Sequence, residues 1–92
     1  DIRRAQTADR DALMALFRET NGPSKVGGWV NKKGWGTSLA LDKWHGVTVD
    51  EAGRVLKLDL CENNLTGSIP KALGALTATI LLNLSGNNIG GE

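Results

Sequence analysis

The chain has 92 residues, which is enough for one small domain. Eleven basic and ten acidic side chains leave a formal net charge of +1, and no basic stripe indicates a nucleic-acid-binding protein. No apolar run approaches the roughly 18 residues of a membrane-spanning helix, so no membrane contact is expected, and the single cysteine, Cys61, cannot form an intramolecular disulfide.

The first predicted element is a helix over roughly residues 8–20. Thr7 is suited to be its N-cap, and Asp9 and Asp11 are expected in the first turn, where the helix dipole favours anions. Helical spacing predicts one apolar face made of Ala12, Leu13, Leu16, Phe17 and Thr20. Residues 21–23, Asn-Gly-Pro, predict the end of the helix.

A long loop is predicted for residues 22–43, which are rich in Gly, Ser, Asn and Lys. A loop of this length needs internal anchors in a compact domain. Trp29 and Trp35 are suited to that structural role because each can bury a large apolar area, and Trp44 is a third structural candidate. The functional alternative is an exposed aromatic ring that holds a ligand.

Short strands are predicted after the loop. Residues 46–50, Gly-Val-Thr-Val-Asp, alternate between apolar and polar side chains as a strand does. The next strand carries Leu58 and Leu60, and Lys57 and Asp59 alternate with these leucines. Lys57 and Asp59 are therefore expected on the opposite face of the strand from the leucines.

Two stretches of the chain repeat each other. Residues 58–67 read LDLCENNLTG and residues 82–91 read LNLSGNNIGG, so the offset from Leu58 to Leu82 is 24. The shared pattern LxLxxNxLxG at a fixed period is typical of a leucine-rich repeat, whose coils bury their apolar sides only by stacking. Asn63 and Asn87 are expected in register as a polar ladder that satisfies buried amides. The interior is predicted to contain Leu65, Ile69, Leu73 and Leu76.

The second coil is irregular. Thr79 stands where Val55 stands in the first coil, and Leu81 is expected to face outward. The sequence stops at Glu92, before the return half of this coil, and an open coil exposes an apolar edge. We therefore expect either a longer solenoid or a second chain, including another copy of this one, that covers the open coil.

Several segments resemble plant-type leucine-rich-repeat proteins. Residues 63–70, Asn-Asn-Leu-Thr-Gly-Ser-Ile-Pro, resemble the NxLxGxIP signature of their repeats. Residues 44–47 and 53–55 resemble the WxGV…GRV segment of the N-terminal cap that precedes those repeats, and residues 12–16 resemble its opening helix. The three tryptophans are spaced as in a cap variant of bacterial and stramenopile proteins.

The resemblance implies an α/β fold, a right-handed leucine-rich-repeat solenoid in which a helical cap precedes short parallel strands. We predict the cap at residues 1–53, with its helix at about 8–20, a tryptophan-anchored loop and a strand at about 46–50. The repeats are predicted at residues 54–92, complete over 54–77 and partial over 78–92. Plant caps carry two cysteines at places that match Asp42 and Val49, so the cap disulfide is absent here. The resemblance favours an extracellular or cell-surface location, while the missing disulfide leaves a cytoplasmic one open.

The family implies a non-catalytic recognition module that binds a protein, peptide or glycan through the concave face of its strands. The matching positions in this chain are Lys57, Asp59, Cys61, Glu62, Leu81, Asn83, Ser85 and Gly86, with Thr48 and Asp50 as an extension. The alternative is a structural cap that shields the core of the solenoid, with binding or signalling in later repeats or domains. The short arc keeps this alternative open, because a specific interface buries about 800 Å² per partner.

Other classes of site have less support in the sequence. His45 is the only histidine, and no thiol or hydroxyl has a base and an orienting group beside it, so an enzyme is not expected. One His and one Cys do not make a metal cluster, and no cofactor-binding motif is present. Asn64 and Asn83 begin N-glycosylation sequons, and Asn64 is the better candidate because of its turn position.

Overall fold

A helix opens the fold, and five short strands follow it in the computed structural model, which describes residues 2–90. The helix α1 spans Ile2–Glu19, and one 3-10 turn at Leu41–Lys43 precedes the strands while another, at Lys71–Ala75, lies among them. The strands are β1 (Val47–Val49), β2 (Val55–Asp59), β3 (Thr66–Ser68), β4 (Leu81–Asn83) and β5 (Asn88–Gly90). Among residues 2–90, no helix combines the length and apolar character that crossing a membrane requires.

The helix begins earlier than the sequence pattern predicts. Residues 2–7, Ile-Arg-Arg-Ala-Gln-Thr, include good helix formers, and the Gln6 side chain donates a hydrogen bond to the Ala52 carbonyl at 2.5 Å. Thr7 therefore lies inside the helix, and the prediction that it is the N-cap is wrong. Asp9 and Asp11 are not in the first turn, so that prediction is wrong and the helix dipole does not explain their positions.

The helix ends at Glu19, two residues before the predicted stop signal at residues 21–23. Asn21 has a positive φ of 62°, and the Gly22 amide donates to the Phe17 carbonyl at 2.7 Å. This left-handed residue and the backward hydrogen bond are typical of a helix C-terminus. The predicted apolar face of the helix is buried along its whole length.

Three strands form one sheet in the order β1-β2-β4. β1, the strand of the cap, pairs with β2 in antiparallel fashion, because the turn between them is too short for a crossover. β2 and β4 are parallel, and Leu58 pairs with Leu82 in the register that the 24-residue offset predicts. β3 and β5 form a second parallel pair, in which Thr66 aligns with Asn88.

The core lies between the helix, the tryptophan loop (residues 22–43) and the first coil (residues 54–77). Val55, Leu58, Leu60 and Leu65 have no solvent exposure, and Leu73 and Leu76 close the interior on the return side. The prediction that Ile69 fills the interior is wrong, since 47 % of this residue is exposed.

The tryptophans form a continuous aromatic cluster with Phe17. Ring centroids are separated by 5.0 Å for Phe17–Trp29, 4.6 Å for Trp29–Trp35 and 5.0 Å for Trp35–Trp44. Each indole N–H donates to a backbone carbonyl, of Thr20, His45 and Leu39 respectively, so burial leaves no indole donor unpaired. Arg10 lies 5.1 Å from the Trp44 ring centroid and covers its outer side.

Candidate functional site

The candidate site is the outer face of the β1-β2-β4 sheet, which we call the strand face. Lys57 and Asp59 are exposed on β2, while Leu58 between them is buried. On β4, Leu81 is exposed and Asn83 is half-buried. The alternation along β2 follows from the pleat of a strand whose other side packs on the core.

Strand pairing aligns the residues of the strand face in rows across the sheet. Thr48 pairs with Lys57, and Lys57 pairs with Leu81, so one row crosses all three strands. Asp59 pairs with Asn83 in the next row. Side chains in such rows are close enough for one ligand to contact them together.

The turns after β2 and β4 extend the strand face with the same local geometry. The Cys61 amide donates to Asp59 Oδ1 at 3.2 Å, and the Ser85 amide donates to Asn83 Oδ1 at 3.1 Å. Ser85 Oγ also donates to Asn83 Oδ1, at 2.7 Å. These hydrogen bonds fix the direction of Asp59 and Asn83, so the strand face presents ordered polar groups.

Two residues with positive φ complete the turns. Glu62 and Gly86 occupy equivalent positions, with φ of 51° and 72°. A side chain on Gly86 would place its Cβ 2.5 Å from the Glu62 Cγ atom. Gly86 therefore leaves room for the Glu62 side chain, which is exposed at the edge of the strand face.

The electrostatics of the strand face make Cys61 a poor nucleophile. The pKa of its exposed thiol is raised, first by the hydrogen bond with Asp59, then by desolvation and by the negative charges of Asp59 and Glu62. A raised pKa lowers the thiolate fraction at neutral pH, and thiolate is the reactive form. The chemistry of the strand face is therefore hydrogen bonding and charge, beside the apolar surface of Leu81.

Asn63 and Asn87 hold the coils together through equivalent hydrogen bonds. Asn87 Oδ1 accepts from the amides of Asn63 and Leu65, both at 2.9 Å, and its Nδ2 donates to the Leu60 carbonyl at 2.8 Å. Asn63 Oδ1 accepts from the Asn31 amide at 2.6 Å, and its Nδ2 donates to the Asn31 carbonyl at 2.8 Å. Asn31, in the tryptophan loop, thus occupies the place of a preceding coil.

The two sequon asparagines differ in their surroundings. Asn64 is exposed, with φ of 60°, and its Nδ2 donates to the carbonyls of Gly27 and Gly28 at 3.2 and 3.0 Å. Asn83 lies within the strand face, where an attached glycan would cover the paired Asp59. In Asn64 the nitrogen to which a glycan would attach already holds the loop.

Sequence reasoning missed a buried ion pair between the helix and the first coil. Asp9 has no solvent exposure, and its carboxylate accepts from Arg54 Nε at 2.8 Å, Arg54 Nη2 at 3.0 Å and the Val55 amide at 2.9 Å. This bidentate contact raises the pKa of Arg54. Helical spacing could have predicted the burial of Asp9. It precedes Ala12 and Leu13 by three and four residues and so falls on the apolar face of the helix.

Groups suited to metal or acid–base chemistry are dispersed. Within residues 2–90, no three His, Cys, Asp or Glu side chains lie together as a metal site. Asp50 Oδ1 accepts from the amides of Ala52 and Arg54 and so stabilises the turn between β1 and β2. The backbone of His45 bonds to Lys33 and Trp35, which fixes the end of the loop.

Comparisons with known proteins agree with this geometry. The family model described as Leucine Rich Repeat matches residues 54–76. Phytosulfokine receptor 1 of Arabidopsis thaliana is 36 % identical over 67 residues, which is 71 % of this chain and 6 % of that receptor. The chain thus spans a small fraction of this relative.

Solved structures show the same fold. A leucine-rich repeat protein from Bacteroides eggerthii superimposes with a TM-score of 0.71 at 26 % identity, over 85 % of this chain and 13 % of that one. The BIR3–SERK2 complex from Arabidopsis thaliana contains a chain that superimposes with a TM-score of 0.61 at 27 % identity. That match covers 85 % of this chain and 42 % of that one.

Proposed function

Because this chain is a plant-type leucine-rich-repeat protein, we propose that it is a non-catalytic recognition module whose strand face binds a protein or peptide. The observation that carries the proposal is the pairing of Lys57 with Leu81 and of Asp59 with Asn83. This pairing places a cation, a carboxylate, an amide and an apolar side chain side by side. An extended peptide can satisfy all four groups at once, because its polar groups and side chains alternate along its length.

Rigidity supports the same proposal. The strand face is backed by Leu58 and Leu60, which have no exposure, and Asp59 and Asn83 are each held by a turn hydrogen bond. A surface that is already ordered loses little conformational entropy when it binds. One relative is a receptor and one structural neighbour belongs to a complex of two proteins, which also favours a protein or peptide partner.

The experiment is a selection of random displayed peptides on the immobilised chain. Affinities of the selected peptides are then measured with the wild-type chain and with the triple variant Lys57→Ala, Asp59→Ala, Asn83→Ala. We expect about tenfold weaker binding to this variant, equivalent to about 1.4 kcal/mol. The matched control replaces exposed residues away from the strand face, Glu19→Ala with Lys71→Ala, and should bind as the wild type does. If every selected peptide binds the triple variant unchanged, the strand face is not the recognition surface.

A second candidate function is to close one end of the solenoid. The helix and the tryptophan loop cover the first coil so completely that Val55, Leu58, Leu60 and Leu65 have no exposure. We place the boundary of this cap at residue 53, just before the matched repeat at 54–76. Removal of residues 1–53 should then leave the repeat segment unfolded, as judged by circular dichroism. A folded, soluble repeat segment would contradict the shielding role.

A further inference from the structure

A second surface lies on the opposite side of Asn63 from the second coil, on the loop between α1 and the first 3-10 turn. We call residues 20–40 the cap loop. It contains three lysines, at positions 25, 32 and 33, and no acidic residue. Because the whole chain has a net charge of +1, the residues outside the cap loop sum to −2. The cap loop is thus the basic part of an otherwise slightly acidic chain.

The cap loop also exposes apolar side chains. Val26 is 89 % exposed and Val30 is 75 % exposed, more than any other large hydrophobic residue described. The remaining exposed hydrophobics outside the cap loop, Ile69 and residues 80–82, lie on the return path and the open coil. Val26 and Val30 are therefore exposed in a different part of the fold from the hydrophobic residues of the second coil.

The two valines are presented by a loop that is held in place. Trp29 between them is buried, and its indole N–H donates to the Thr20 carbonyl at 3.2 Å. Asn64 bonds to the carbonyls of Gly27 and Gly28, which follow Val26 directly. The Val30 amide donates to the Asn63 carbonyl at 3.1 Å. Exposure of the valines thus results from a fixed backbone and not from a loose one.

The lysines of the cap loop have different roles. Lys32 Nζ donates to the carbonyls of Gly22 and Ser24 at 2.8 and 3.1 Å, so it closes the loop on itself. Lys25 and Lys33 are exposed, and neither takes part in an ion pair among the residues that the structure describes. Two exposed ammonium groups in the same loop as the two valines are therefore available to a partner.

We propose that the cap loop is a second docking surface, and that its occupant is an acidic protein segment carrying an apolar side chain. The carboxylates of such a segment complement Lys25 and Lys33, and its apolar side chain removes Val26 and Val30 from water. An anionic membrane is less suited, because lipid-binding basic clusters use about four to eight Lys or Arg. Single-stranded nucleic acid needs aromatic stacking, and the rings of Trp29 and Trp35 are buried. The proposal shares no residue with the strand face.

The test uses random displayed peptides selected on the wild-type chain after depletion on the variant Val26→Ser, Val30→Ser. Depletion removes peptides that bind elsewhere, including those that bind the strand face. The enriched peptides are then measured with the wild type, with this serine variant and with Lys25→Glu, Lys33→Glu. The matched control, Ile69→Ser with Lys71→Glu, removes an apolar side chain and reverses a charge at other exposed positions. Thermal unfolding of each variant checks that the fold is retained.

We expect enriched sequences in which Asp or Glu flanks a large apolar residue. The charge-reversal variant should bind them about tenfold more weakly at low salt, and high salt should reduce this difference by screening. The serine variant should lose about tenfold at both salt concentrations, and the control should not change. An enriched set without acidic residues, or no enrichment at all, would overturn the proposal.

Two further measurements address other occupants. Flotation with vesicles of phosphatidylcholine and phosphatidylserine tests a membrane, and sedimentation of the chain alone tests a second copy. Binding to vesicles that is lost in Lys25→Glu, Lys33→Glu would assign the cap loop to lipid and overturn the proposal. A dimer that dissociates in Val26→Ser, Val30→Ser would assign it to self-association and do the same. A monomeric chain that does not bind the vesicles supports the proposal.

Discussion

The two coils carry the same pattern, yet they differ in burial. Leu58 in the first coil has no solvent exposure, whereas Leu82, its pairing partner in the second coil, is 48 % exposed. The first coil has the cap on one side and the second coil on the other, while within residues 2–90 the second coil has a neighbour on one side only. Burial in a repeat protein is thus a property of the stack and cannot be assigned to the sequence of one coil.

The coils also differ in charge. Asp59 and Arg54 of the first coil correspond to Asn83 and Ala78 of the second. Arg54 forms an ion pair with the helix, so the first coil makes a charged contact with the cap. Ala78, the equivalent residue of the second coil, has no charge with which to make such a contact. Substitutions that exchange residues between the coils therefore separate what the repeat requires from what the cap requires.

The largest expected loss of stability is that of Arg54→Ala, which replaces Arg54 with the residue found at the equivalent position of the second coil. Asp9 would then be a buried carboxylate without its guanidinium, and a broken buried pair costs about 3–5 kcal/mol. Urea unfolding measures the free energy of unfolding. The double variant Asp9→Leu, Arg54→Met is the control, since it removes both charges and should lose less. A loss below about 1 kcal/mol in Arg54→Ala would show that the pair is not needed.

The next effect compares Leu58→Ala with Leu82→Ala. A fully buried leucine costs about 2–5 kcal/mol when it is cut to alanine, because apolar burial is lost and a cavity remains. Leu82 is half-exposed and should cost less than about 1.5 kcal/mol. Thermal unfolding of both variants at one protein concentration measures the difference. Equal losses would mean that the second coil is covered in solution.

A smaller and more local effect is expected for the two ladder asparagines. Asn87→Ala leaves the amides of Asn63 and Leu65 without their acceptor, and Asn63→Ala does the same to the Asn31 amide. Each change should cost about 1–3 kcal/mol. Amide hydrogen exchange should accelerate first at those named amides. Uniform acceleration in both variants would argue against separate roles for the two asparagines.

The smallest effect concerns Cys61, which corresponds to Ser85 in the second coil. The hydrogen bond with Asp59 and its charge raise the pKa of the thiol, so Asp59→Asn should lower that pKa and speed alkylation at neutral pH. The midpoint of the rate against pH should move to lower pH. Glu62→Gln should produce a smaller shift of the same sign. An unchanged profile in Asp59→Asn would exclude the carboxylate as the cause.

Much of the strand face was predictable because two periods act together. Alternation within a strand separates Lys57 and Asp59 from Leu58, and the 24-residue offset pairs Asp59 with Asn83. Both periods are local or repeated, so they are visible in one sequence. Their assignment as partner-binding residues stays a prediction.

The contacts between the cap and the first coil were not predictable in the same way. The ion pair between Asp9 and Arg54 joins residues that are 45 positions apart. It has no counterpart in the second coil, so a repeated sequence pattern could not predict it. Asn31 likewise takes its place beside Asn63 only because the loop folds back. The start of the helix was missed because Gln6 is held by Ala52, a contact outside the local pattern.

The position of Asn31 has a consequence for how such arrays are assembled. The Asn31 amide donates to Asn63 Oδ1 as the Asn63 amide donates to Asn87 Oδ1, so an irregular segment is joined to the first coil by the same hydrogen bond that joins the first coil to the second. A cap with this connector can be transferred to another array. Residues 1–53 placed ahead of an unrelated array should start it correctly, provided that its first unit supplies an asparagine at the place of Asn63 and an arginine at the place of Arg54.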